Sequence, residues 1–228
     1  MGIAVVALAV AVGVAAVIQF SDDFSSYVQN VCFPDGASFG SWTVVFAGFG
    51  CVEVESDGVN AWLHSQPKAP KGGNTHSALV AGPLFSSATT TLTYDVKVHT
   101  IQQLRTKMNP RPWEVGWVVW HYTDNDHFYY FIAKTNGWEL GKRDPAYKGG
   151  QRFLATGTSP TFPIGQQYAM RIIQDSTNTM TASVNGQLLV TFTDIERPYT
   201  GGKIGLYTED AHVHFDDVFV DTNSNKYP

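Results

Sequence analysis

The stretch Trp113–Arg143, WEVGWVVWHYTDNDHFYYFIAKTNGWELGKR, governs how the rest of the chain is read. Three apolar and aromatic runs are separated by two turn signals, Thr123-Asp124-Asn125-Asp126 and Asn136-Gly137. An Asn-Gly pair between such runs marks a tight hairpin, because both turn residues must accept positive φ. The stretch therefore reads as three adjacent antiparallel strands, and it holds Trp113, Trp117, Trp120 and Trp138 of the six tryptophans. The remaining strands are expected to pack around it.

Side chains alternate along a strand, so pairing sets the two faces. Pairing Tyr122 with His127 puts His121 opposite Phe128, Val119 opposite Tyr130 and Trp117 opposite Ile132. A two-residue Asn136-Gly137 turn puts Lys134 opposite Glu139. One surface then carries Trp117, His121, Tyr130, Lys134, Glu139 and Arg143. The other carries Val118, Trp120, Tyr129, Phe131 and Leu140, a core face. A slip of one residue would exchange the two sets.

Working outward, alternation continues in TTTLTYDVKVHT, where Leu92, Tyr94, Val96 and Val98 share one face. Short strands are also expected at Trp42–Ala47, Cys51–Glu55, Ala61–His64, Ser77–Leu84, Arg152–Thr156, Gln167–Asp175, Thr179–Val184, Leu188–Asp194, Lys203–Thr208 and Ala211–Val220. The segment Gly48-Phe49-Gly50 reads as a hairpin turn between the first two, and Asn185-Gly186 as another tight turn. The loop SQPKAPKGGNTH is the kind of surface connection that carries specificity, or is merely solvated. About a dozen strands without a credible helix after residue 20 define an all-β, two-sheet antiparallel sandwich.

A chain of 228 residues, 43% hydrophobic and 13% aromatic, can bury one sizeable core. Charged residues make up 15%, the net charge is −5, and no basic stripe is present. That argues against a nucleic-acid partner, which would call for clustered Lys and Arg.

The succession GWVVWHYTDNDHFYYFIAKTNGWELGKRD, MTASVNGQLLVTFTD and GGKIGLYTEDAHVHFDDVFV resembles laminin-G-like and concanavalin-like jelly rolls, over residues 22–221. It is similar to secreted laminin-G-like proteins of unassigned activity. That fold hosts lectins, adhesion modules, glycoside hydrolases and polysaccharide lyases, so it does not by itself fix a function. In related modules a structural calcium is held by an aspartate near the start of the final strand and by backbone oxygens near the N-terminus. The resemblance thus implies Asp216, with Asp217 beside it, as metal ligands, and Asp22 and Asp23 at the opening of the first strand are expected to join them because the terminal strands of such rolls pair. Exposed strand-end carboxylates are the competing reading. Asp124-Asn125-Asp126 is a weaker calcium candidate that reads better as a turn.

Hydrolysis by a retaining mechanism needs two carboxyl groups roughly 5 Å apart. The ExDxE and ExDxxE patterns of glycoside hydrolases of family sixteen are missing, and Glu53 and Glu55 alternate on a strand remote from the aromatic ribbon. Lyase signatures, GxSxG and HExxH are not found either, so no catalytic residue is assigned. The polar and aromatic face does suit sugars, which present apolar C–H faces and hydroxyl rims. Trp117, His121, Tyr130, Glu139 and Arg143 are accordingly the candidate ligand-binding residues. The competing reading packs the aromatics inside the sandwich, leaves a wet ion-paired face and makes His121 structural. His212 and His214 alternate on one strand, but without a third ligand in view they read as surface residues.

Met1–Phe20 is uncharged and rich in Ala and Val. It lacks the basic n-region of a signal peptide. Signal peptide, retained anchor and self-assembling filament helix all stay open for residues 1–20, ahead of a jelly roll at 21–222 and a polar tail at 223–228. Each places the domain outside the cytoplasm. Cys32 and Cys51 agree with export if they form a disulfide, and free buried thiols are the alternative. Three functions follow: an extracellular glycan-binding or adhesive module, a surface or filament subunit, and a glycan-active hydrolase or lyase with an unrecognised site.

Overall fold

A computed structural model describes residues 19–106 and 108–222. Its strands are β1 (Gln19–Asp22), β2 (Ser38–Phe39), β3 (Trp42–Phe46), β4 (Cys51–Ser56), β5 (Ala61–Gln66), β6 (Ser77–Ser86), β7 (Leu92–Gln103) and β8 (Gly116–Asp124), followed by β9 (His127–Lys134), β10 (Gly137–Arg143), β11 (Gln151–Gly157), β12 (Gln167–Gln174), β13 (Thr179–Val184), β14 (Gln187–Thr193), β15 (Gly201–Glu209) and β16 (Ala211–Asp221). They form two eight-stranded sheets, a jelly-roll sandwich without any α-helix among the described residues. The first sheet is ordered β14-β13-β12-β7-β16-β5-β4, with β1 also pairing β16, and the second β11-β10-β9-β8-β15-β6-β3-β2.

The core lies between the inner faces. Val118, Trp120, Tyr129, Phe131 and Leu140 from the ribbon meet Tyr94, Val96, Val98, Ile172 and Phe215 from the first sheet. These are the alternate residues expected from a period of two, and burying each large side chain stabilises the fold by roughly 1.5–3 kcal/mol. Several polar side chains inside are hydrogen-bonded to one another. Trp120 Nε1 donates to Gln174 Oε1 at 2.7 Å, and Gln174 Nε2 donates to the Tyr199 carbonyl at 2.8 Å. Lys142, fully buried, donates to Asp194 Oδ2 at 2.7 Å and lies 5.3 Å from the centre of the Tyr199 ring.

Three local expectations change. Trp42–Phe46 and Cys51–Ser56 do not form a hairpin, because β3 pairs β6 in one sheet and β4 pairs β5 in the other. The corner between them needs positive φ at Gly48 and Phe49, and a Cβ on Gly50 would lie 1.8 Å from the Gln66 carbonyl oxygen. In the ribbon, Lys134 pairs Gly137, so the turn residues are Thr135 and Asn136, one position earlier than expected. Gly137 is required for another reason: its φ is +135°, and a Cβ there would sit 1.9 Å from the Gly157 carbonyl oxygen. Finally, Gln19 and Phe20 belong to β1, which pairs with β16, so the hydrophobic run ends before residue 20. Residues 1–18 and the tail 223–228, and with them the signal, anchor and assembly readings, lie outside the described residues.

Cys32 and Cys51 form a disulfide, Cα atoms 5.4 Å apart, which ties the loop before β2 to the start of β4.

Candidate functional site

Register alone builds the candidate site on the outer face of the second sheet. Glu139, Ile132, Trp117, Tyr207, Leu79 and Phe46 pair directly in turn, forming one row across β10, β9, β8, β15, β6 and β3. The adjacent row runs Phe153, Gly141, Tyr130, Val119, Gly205 and Ala81. Gly141 is needed here, since a Cβ would lie 2.2 Å from the Tyr130 hydroxyl. That hydroxyl leans over Gly141, donates to Glu139 Oε1 at 2.9 Å and accepts from Gln151 Nε2 at 2.6 Å.

Two adjoining hollows of about 270 and 280 Å³ lie along these rows and share Trp117, Gln151 and Glu209. Trp113, Lys134, Asn136, Glu139 and Phe153 complete the first, while Phe46, Asn125, Arg143 and Tyr207 help line the second. Together they make a groove with an aromatic floor and a mixed polar rim.

The floor is packed rather than open. Trp117 is 6% exposed and Tyr130 is fully buried, and the Trp117 ring centre is 5.0 Å from Tyr130 and 4.9 Å from Tyr207. Trp117 Nε1 donates to the Trp113 carbonyl at 2.8 Å. The aromatic surface offered to solvent comes instead from Trp113, 38% exposed, and Phe153, 58% exposed. The indole and phenol platforms expected at Trp117 and Tyr130 therefore serve as support.

Charge is arranged with the same economy. Lys134 Nζ donates to Glu139 Oε2 at 2.8 Å, although the two residues are diagonal rather than opposite. Burial raises the Glu209 carboxyl above its ordinary range, with Asp210 and Glu114 adding to it and the hydrogen bond from the Tyr207 hydroxyl opposing it. Burial likewise raises the Tyr130 and Tyr207 hydroxyls, keeping both as donors at neutral pH.

Trp117, Tyr130, Glu139 and Arg143 thus come together on one face, as the alternation implied. His121 does not. The register of β8 against β9 shifts between Trp120 and Asp124, so that Asp124 rather than Tyr122 pairs His127. Within this bulge His121 takes φ +51°, is 1% exposed, and places Nε2 3.0 Å from Ser87 Oγ. Burial lowers its pKa to about 4. It is a structural histidine at the sheet's inner side. The sequence reading missed Phe46, Gln151, Phe153, Tyr207 and Glu209, which reach the groove from distant strands.

Of the four aspartates considered for calcium, Asp22, Asp23 and Asp217 line one hollow beside Tyr27, while Asp216 accepts a hydrogen bond from Asn60 Nδ2 at 2.8 Å. Asp22 accepts from Trp42 Nε1 at 2.8 Å, from the Phe24 amide at 2.8 Å and from the Tyr27 hydroxyl at 2.5 Å. Asp217 forms an ion pair with Lys97. An ion there would share or displace these donors.

No protein-family model and no curated protein matches the sequence. Solved structures share the fold. A carbohydrate-binding module, CBM66 from Bacillus subtilis, matches with a TM-score of 0.58 at 13% identity, over 80% of this chain and 96% of its own. The carbohydrate recognition domain of Emp47p matches at 0.54 and 9% identity, over 84% and 94% of the two chains. A Bacillus subtilis protein of unknown function with a galectin-like fold matches at 0.53 and 14%, over 88% and 100%. Identities this low carry the jelly-roll fold and nothing finer.

Proposed function

We propose that this chain is an exported glycan-binding module whose sugar site is the groove on the outer face of the second sheet. The observation that carries the reading is the joined pair of hollows, with exposed Trp113 and Phe153 beside Lys134, Glu139, Gln151 and Arg143. Aromatic surface covers the apolar face of a pyranose or furanose ring, and the carboxylates, amides and cations bond its hydroxyls. Fold neighbours named for carbohydrate binding and recognition support the proposal, and the Cys32–Cys51 disulfide supports an oxidising, extracytoplasmic location. The laminin-G-like and adhesive readings belong to the same proposal as its finer form. A glycan array probed with the full chain and with Trp113→Ala tests it. Retained signal for the wild type and its loss in the variant are expected; a wild type that binds no glycan removes the reading.

A second reading, glycan hydrolysis, has one observation in its favour. Glu139, partnered by Lys134, and Glu209, its carboxyl raised by burial, line the same hollow. Carboxylates held in contrasting environments are what acid/base pairs require. New reducing ends from a polysaccharide panel, abolished by Glu209→Gln, would support it. Their absence with the wild type would leave binding alone. The filament reading rests on residues 1–18 and is tested by sizing the full chain, where a monodisperse monomer excludes it.

A further inference from the structure

The outer face of the first sheet, on the far side of the sandwich, carries a second polar assembly. His64 on β5 pairs directly with His214 on β16, which pairs directly with His99 on β7. With His212, four of the seven histidines lie on this face. Ring centres are 4.4 Å apart for His64 and His214, 5.7 Å for His64 and His212, and 6.0 Å for His99 and His214. Glu55 enters from β4, its carboxylate 2.8 Å from His64 Nδ1 and 3.5 Å from His214 Nε2.

We propose that Glu55, His64 and His214 form a three-ligand site for a divalent transition-metal ion of zinc-like preference. Their donor atoms all lie within 4.8 Å of one another, the one group of three or more such side chains among the described residues to do so. A tetrahedron of about 2.0 Å bonds needs donors about 3.3 Å apart, so small side-chain rotations close the site. Two imidazoles and one carboxylate select nitrogen-preferring ions over calcium, which takes oxygen alone. The set also leaves a fourth position open for water.

His64 supplies an independent observation. It is 8% exposed, and neither of its ring nitrogens has an aligned hydrogen-bond partner among the described residues. Nδ1 lies 2.8 Å from Glu55 Oε1, a charged contact that also has the separation of two ligands converging on one ion, and Nε2 is left without any partner among the described residues. A buried imidazole without such partners is costly unless something else satisfies it. Trp62 supports the same geometry from behind, stacking on His214 with ring centres 4.8 Å apart and donating Nε1 to Glu55 Oε2 at 3.3 Å. Outer contacts of this kind orient metal ligands. A bound ion would bridge β4, β5 and β16.

The test is calorimetric titration of the full chain with zinc chloride at pH 7.5, alongside His214→Ala, Glu55→Gln and, as a control, His127→Ala. One equivalent should bind the wild type and the control, at least tenfold more weakly to Glu55→Gln, and not measurably to His214→Ala. Tryptophan emission provides a readout that does not depend on those variants folding. It should change on zinc addition to the wild type, and this change should vanish in Trp62→Phe, in which calorimetry should show zinc bound more weakly because Glu55 loses its indole donor. No saturable binding by the wild type, or one equivalent retained in both His214→Ala and Glu55→Gln, overturns the proposal. So does a zinc-dependent emission change that persists in Trp62→Phe.

Discussion

Replacing Arg105 by Met is expected to destabilise the fold by about 3–5 kcal/mol, the usual cost of removing one partner from a buried ion pair. Arg105 is 4% exposed, Glu114 1% and Asp210 fully buried. The guanidinium donates Nε to Glu114 Oε1 at 2.6 Å and Nη2 to Asp210 Oδ2 at 2.5 Å, and it also bonds the carbonyls of Gly72 and Asn74 at 3.0 and 3.2 Å. One side chain therefore holds the 67–76 loop, the turn that presents Trp113 and the end of β15 that presents Glu209. Met keeps most of the side-chain volume, so the loss reports stranded carboxylates rather than a cavity. Each retains one backbone donor, Arg111 for Glu114 at 3.1 Å and His76 for Asp210 at 2.7 Å, which places the expected cost nearer the lower bound. Denaturant unfolding with an unchanged m-value measures it. Adding Glu114→Gln and Asp210→Asn to the Met variant should recover part of the loss. A loss under about 1 kcal/mol, typical of an exposed pair, would refute the assignment of a buried clamp.

Two further outcomes are expected. His121, with a pKa lowered to about 4 by burial, binds its proton more weakly folded than unfolded, so its contribution is present above about pH 6.5 and is lost as pH falls towards 4. By pH 4 this amounts to about 3 kcal/mol; His121→Asn, which tolerates φ +51°, should show a correspondingly flatter acid limb, and parallel limbs would contradict it. Calcium is proposed for the hollow lined by Asp22, Asp23 and Asp217, so millimolar calcium should raise the thermal midpoint of the wild type but not of Asp217→Asn, and an unmoved wild-type midpoint would remove the ion.

The sandwich was legible because side chains alternate along each strand: Leu92, Tyr94, Val96 and Val98 share the inner face of β7, and Val118, Trp120, Tyr129 and Phe131 share the inner face of the ribbon, whose outer face is buried as well. The same alternation placed Trp117, Tyr130, Glu139 and Arg143 together. It failed where the period breaks. The bulge after Trp120 turns His121 inward, and the corner at Gly48-Phe49-Gly50 changes sheets where a hairpin was expected. Long-range pairing was invisible for another reason. Tyr207 joins Trp117, and His64 joins His214, through register between strands far apart in the chain, and spacing along one strand cannot reveal that.

The central claim is that a glycan occupies the groove of the second sheet. It is tested most directly by calorimetric titration of an array-identified oligosaccharide into the wild type and into Trp113→Ala, Phe153→Ala and Glu139→Gln. His99→Ala, on the opposite face, serves as the control. At least tenfold weaker binding in each groove variant, with the control unchanged, is the predicted result. Equal affinity in all three groove variants and the wild type would contradict the account.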